Sequence, residues 1–119
     1  MLNHISIAVS DIDKSMKFYE AVLAPLGYHV AHAGEERAIL LDSEGGAFAL
    51  YQGKPFPFHF AFDAKTKEAI SAWYDAALAN GGTDNGAPGF RLNYHEHYYA
   101  AFVIDPDGYK IEAVNQEMM

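Results

Sequence analysis

Cysteine is absent from this chain, which excludes disulfides, thiolate metal sites and cysteine nucleophiles together. Any metal would have to be held by histidine and carboxylate, and a chain without disulfides is compatible with a reducing compartment. Positive charge is scarce and scattered: 8 Lys and Arg against 16 Asp and Glu give 119 residues a formal net charge of −8. A phosphate-backbone partner requires a basic patch, so no nucleic acid is expected as ligand. Long hydrophobic runs are missing too. No window approaches the ~20 apolar residues that span a bilayer, and the N-terminus passes directly into a patterned strand with no basic, apolar targeting region ahead of it. The expectation is a cytoplasmic protein without membrane association. Half of the residues are nevertheless hydrophobic by type, enough for one core in a chain of common single-domain size.

What is present is a sequence written twice. The stretch from His4 to Gly27, HISIAVSDIDKSMKFYEAVLAPLG, registers without a gap on His59 to Gly82, HFAFDAKTKEAISAWYDAALANGG. His4 falls on His59, Tyr19 on Tyr74, Leu23 on Leu78 and Gly27 on Gly82. Two such copies mark a duplicated module, the first spanning about residues 1–54 and the second about 55–119 of a single domain. Each copy opens with a short strand followed by a helix. Ser10 or Asp11 can cap the first helix, whose apolar positions Ile12, Met16, Tyr19, Val22 and Leu23 follow helical spacing until Pro25 and Gly27. In the second, Ala69-Ile70, Trp73-Tyr74 and Ala77-Leu78 recur every four residues, and both stripes are expected to pack on a sheet.

Three further strands follow each helix: Tyr28 to Ala33, Arg37 to Leu41 and Ala47 to Tyr51, then a weak one near Thr83, Tyr98 to Ile104 and Tyr109 to Val114. The closing hairpins superpose as well, Asp42 on Asp105 and Gly45 on Gly108, through the turns Asp-Ser-Glu-Gly and Asp-Pro-Asp-Gly. Each module therefore reads β-α-β-β-β, an α+β arrangement.

Strand side chains alternate between faces. Ile5, Ile7 and Val9 oppose His4, Ser6 and Ala8; Phe58, Phe60 and Phe62 oppose His59, Ala61 and Asp63; Tyr109, Ile111 and Ala113 oppose Lys110, Glu112 and Val114. His4, His59 and Glu112 thus share the face opposite the helices. Two neutral imidazoles and a carboxylate suit a divalent metal with coordination positions left open, and zinc, iron, manganese, nickel or cobalt are all compatible.

The whole chain resembles the vicinal oxygen chelate superfamily, which includes glyoxalase I, extradiol dioxygenases, fosfomycin-resistance enzymes and bleomycin-resistance proteins. The resemblance is carried by HISIAVSDIDKSMKFYEAVLAPLGY, by HFAF and by YYAAFVIDPDGYKIEAV. It implies paired βαβββ modules forming a half-open barrel around a cleft, a homodimer, and metal ligands at His4, His59 and Glu112. Glyoxalase I-like members place a fourth ligand where this chain has Ala49, so the remaining set is closer to the dioxygenase and fosfomycin-resistance branches.

The segment from Gly86 to Phe102 begins irregularly and then concentrates Arg91, Tyr94, His95, His97, Tyr98 and Tyr99. Arg91 can clamp a carboxylate or phosphate, Tyr51 and Tyr98 are further candidates for substrate contact, and Glu112, His95 or His97 can move protons. The expected function is metal-dependent lyase or dioxygenase chemistry on a small oxygen-rich or anionic molecule. The competing expectation is a metal-free binding protein that sequesters a compound between aromatics such as Tyr51, Trp73 and Tyr98. A homodimer is expected also because the strands that open the modules would otherwise leave bare sheet edges.

Overall fold

A computed structural model describes residues 2–116. The first module contains β1 (His4–Val9), α1 (Ile12–Leu23), β2 (His29–Ala33), β3 (Arg37–Leu41) and β4 (Ala47–Gln52). The second contains β5 (His59–Asp63), α2 (Lys67–Ala79), β6 (Thr83–Phe90), β7 (Tyr99–Ile104) and β8 (Lys110–Asn115). Each module builds its own four-stranded sheet, in the order β1-β4-β3-β2 and β5-β8-β7-β6. The first and last strands of a module run parallel and the other pairs antiparallel. β1 and β5 are therefore sheet edges, as the sequence anticipates. The two sheets do not join.

Local chemistry sets the helix starts. Asp11 caps α1, accepting from the Lys14 N–H at 3.2 Å, and Thr66 caps α2, accepting from Ala69 at 3.0 Å. Ser10 is left to donate its hydroxyl to Asp107 at 2.5 Å, which ties the start of α1 to the second module. The matching glycines behind the two helices serve different needs. Gly27 sits at φ +91 in open space, so its role is conformational. Behind α2 the left-handed residue is Gly81, at φ +100, while a Cβ on Gly82 would meet Ala77 O and Val103 Cγ1 at 2.8 Å. Gly82 is required for space.

Both apolar sheet faces turn into one core. Ile7, Val9, Leu40, Phe48 and Leu50 from the first sheet join Phe62, Val103, Ile111 and Ala113 from the second, with Phe18, Tyr19, Ile70 and Trp73 from the helices. The Phe48 ring lies 5.3 Å from Phe62, and Tyr109 donates to Ala8 O at 2.7 Å. Tyr19 donates at 2.5 Å to Asp105, whose other oxygen accepts from the N–H groups of Asp107 and Tyr109 and shapes the last hairpin. Fully burying one such aromatic contributes ~2–3 kcal/mol. The sequence stripe on α2 is only partly buried: Ile70, Trp73 and Ala77 are inside, but Leu78 is 41 % exposed. The irregular start expected at Gly86 is instead strand β6, which continues to Phe90 through register shifts on either side of Gly86. No described helix is long and apolar enough to cross a membrane.

Candidate functional site

Because the apolar faces share one core, the polar faces turn out of it, and each carries half of the expected site. On the second sheet, β5 lies beside β8 and β8 beside β7, so His59, Glu112 and Phe102 fall on neighbouring strands. His59 Nε2 lies 2.9 Å from Glu112 Oε1. The other carboxylate oxygen accepts from the Tyr98 hydroxyl. Glu112 sits on an interior strand and is 3 % exposed, while the His59 side chain is 52 % exposed. A buried carboxylate is costly unless both oxygens are satisfied, and these two partners satisfy them. Burial, and then the hydrogen bond to Glu112, hold the Tyr98 phenol well above its ordinary titration range. It is a permanent donor at neutral pH.

The loop from Arg91 to Tyr98 is pinned across its base by Arg91 N–H to Tyr98 O at 2.7 Å. Tyr94 and His95 pack edge-on against Tyr98, 4.8 and 5.5 Å between ring centres. His95 Nδ1 accepts from the His97 N–H at 3.0 Å, which leaves Nε2 to donate to Gln116 at 2.7 Å. Both of its nitrogens are occupied. His97 faces Glu96 at 3.4 Å. Neither imidazole bonds to Glu112, so the expected proton-transfer role of His95 and His97 has no direct contact behind it. Arg91 lies 5.1 Å over the Phe102 ring, and Phe102 in turn stacks at 6.4 Å on His59. Two of the Arg91 donors are committed to Gly89 O and Ala87 O, at 3.0 and 2.7 Å. Arg91 thus stands on the half-site face, fixed in the protein.

His4 is elsewhere. It occupies the polar face of the first sheet, where its Nδ1 meets Asn3 at 2.8 Å. Among the described residues no group of three His, Asp or Glu is close enough to hold a metal. The sequence leaves open whether His4, His59 and Glu112 meet within one chain or across two; in one chain His59 and Glu112 come together and His4 lies on the other half. Tyr51 also belongs to the His4 half, beside Ala8 and Arg37, and so shares no cleft with Tyr98 in a single chain. Trp73 is 0 % exposed and belongs to the core, which removes it from the aromatic-sequestration alternative.

Sequence reasoning missed the pairing of Tyr98 with Glu112, because the pattern makes Tyr98 the first residue of a strand that in fact begins at Tyr99 and so gives Tyr98 a strand register it does not have, and it missed Arg37. The second could have been found. Strand parity places Arg37 with Ile39 and Leu41, opposite the buried Ala38 and Leu40.

The model of the Glyoxalase/Bleomycin resistance protein/Dioxygenase superfamily matches residues 1–113, and the chain belongs to that family. A solved glyoxalase/bleomycin resistance protein from Albidiferax ferrireducens T118 is 34% identical with a TM-score of 0.85, covering 96% of this chain and 98% of that one. A glyoxalase/bleomycin resistance protein/dioxygenase family enzyme from Burkholderia phytofirmans PsJN, 21% identical, superposes with a TM-score of 0.74 over 97% and 98%. A mutant fosfomycin resistance protein from Listeria monocytogenes, solved with Mn(II) and 1S,2S-dihydroxypropylphosphonic acid, is 17% identical, with a TM-score of 0.74 over 99% and 91%. No curated protein matches the chain significantly.

Proposed function

We propose that the protein is a metal-dependent enzyme of its superfamily, working as a homodimer in the cytoplasm on a small oxygen-rich anion. His59 and Glu112 of one chain would hold a divalent ion together with His4 of a second copy. The observation that carries the reading is the His59–Glu112 pair, a carboxylate buried on an interior strand with an imidazole at 2.9 Å. An imidazole nitrogen and a carboxylate oxygen are two of the donor types that zinc, iron, manganese or nickel accept. The third donor lies on the opposite half of the chain, so one copy is incomplete and two copies related by a twofold axis would complete two sites. A bound ion would supply Lewis-acid stabilisation of a chelated oxyanion. The protein's own part is orientation. Tyr98 fixes one oxygen of Glu112, Phe102 supports the His59 ring, and the loop after Arg91 walls the cleft. Among the described residues, Glu112 is the carboxylate that would take a proton there.

A metal-free binding function has one observation in its favour: Glu112 is fully satisfied by Tyr98 and His59 without any ion. Metal analysis of untagged protein purified without chelator separates the two readings. The enzyme reading expects one divalent ion per chain in the wild type and its loss in His59→Ala, whose exposed side chain can be removed without unfolding. A wild type that holds no divalent ion and takes up none when manganese, zinc or iron is added supports the binding protein instead.

A further inference from the structure

The chain has two arginines, Arg37 and Arg91, and they are used differently. Arg91 spends donors on two backbone carbonyls. The Arg37 guanidinium has neither a hydrogen bond nor an ion pair among the described residues, although the chain carries 16 carboxylates. It projects from β3 beside Tyr51 of β4, which lies next to Ala8 of β1. One step along the same face, Ile39 neighbours Ala49 and Ala49 neighbours Ser6. A cavity of about 270 Å³ opens here, lined by His4, Ser6, Arg37, Ile39, Ala49 and Tyr51. The Ser6 and Tyr51 hydroxyls also have no hydrogen-bond partner among the described residues. Ala49 contributes only a methyl group, so the floor is open where a longer side chain would fill it.

An unpaired guanidinium presents a planar fork of donors, suited to two oxygens of one carboxylate or phosphate. In a chain of net charge −8, long-range electrostatics oppose an anion, so retention must come from local donors such as these. We infer that Arg37, with the hydroxyls of Ser6 and Tyr51, forms an oxyanion subsite on the His4 half, and that the protein's substrate carries a carboxylate or phosphate group bound there. The subsite lies within one chain. Its placement in the same cleft as the metal rests on the proposed function, because the two halves meet only if two copies do.

The test is a titration of metal-free protein, kept in chelator at constant ionic strength, with sodium phosphate and separately with sodium acetate, followed through backbone amide shifts. Saturable shifts at Ser6, Ala49 and Tyr51 are expected with at least one anion, and the tighter of the two identifies the group. Arg37→Gln should weaken binding about tenfold and Arg37→Lys by less, since lysine keeps the charge and loses the fork. Arg37 is exposed, and dispersed amide spectra establish that the variants fold. Shifts scattered over the surface, binding that Arg37→Gln leaves unchanged, or no binding of either anion at tens of millimolar overturns the inference. Because metal is removed throughout, a failure here is separate from a failure of metal binding. Metal content measured in Arg37→Gln should equal that of the wild type.

Discussion

Replacing Tyr98 by phenylalanine removes one oxygen and tests what holds Glu112 in the sheet. In the wild type one carboxylate oxygen accepts from Tyr98 and the other from His59, and the carboxylate is nearly inaccessible to water. Without the hydroxyl, one oxygen of a buried charge has no donor, and losing a hydrogen bond to a charged group costs ~1.5–3 kcal/mol. With ~2.1 cal/mol/K of unfolding entropy per residue, a chain of this length loses about 8 °C in Tm for ~2 kcal/mol. The assay is urea and thermal denaturation of the metal-free protein, completed as a cycle with Glu112→Gln. Glutamine can still accept from Tyr98 and donate to a neutral His59, so on its own it should be mild. The Tyr98→Phe loss should fall below ~1 kcal/mol in the Glu112→Gln background, because the orphaned oxygen is then uncharged. If Tyr98→Phe changes stability by less than ~0.5 kcal/mol, or by the same amount in both backgrounds, the hydroxyl does not support that carboxylate. In the metal-loaded protein the same variant should weaken metal affinity roughly 10–100-fold, as loss of a residue that orients a ligand does.

Two further outcomes follow from the packing. Burial raises the Asp105 carboxyl above its ordinary range, against the lowering effect of Tyr19 and the N–H groups of Tyr109 and Asp107. A folded-state value above the unfolded one means that Asp105 stabilises most below the ordinary aspartate range, and that this contribution is lost as pH rises through the raised value. In urea midpoints followed upward from about pH 4, Asp105→Asn should therefore gain on the wild type with rising pH, whereas parallel curves contradict the assignment. Gly82→Asn should be worse than Gly82→Ala, which itself costs ~1–3 kcal/mol by overpacking, while Gly27→Asn should be nearly neutral because asparagine tolerates a left-handed backbone. Equal costs at the two positions would refute the distinction between space and conformation.

The module was legible because its signals are local. The repeat from His4 onto His59, the helical spacing around Tyr19 and Trp73, and the Asp-x-x-Gly turns each fix structure within a few residues. Strand parity placed His59 and Glu112 on one face for the same reason. How two modules pack is decided by long-range contacts, and any packing that buries Ile7, Phe48, Phe62 and Ile111 satisfies the same sequence pattern. The chain brings both apolar faces into one core, which sends His4 and Glu112 to separate faces. Nothing in the alternation of residues distinguishes that outcome from a cleft within one chain. Strand β6 was obscured for a different reason: Gly86, Pro88 and Gly89 read as punctuation, yet pairing with β7 holds the segment extended through its bulges.

The central claim is that a metal site is shared between two copies, and complementation between two inactive variants tests it most directly. His4→Ala and His59→Ala homodimers each lack one ligand at both sites. A heterodimer of the two has one site with both defects and one with none. Co-expressed with different tags and purified through both, the heterodimer should bind one divalent ion with wild-type affinity while neither parent binds any. A heterodimer that binds no more metal than its parents contradicts the account.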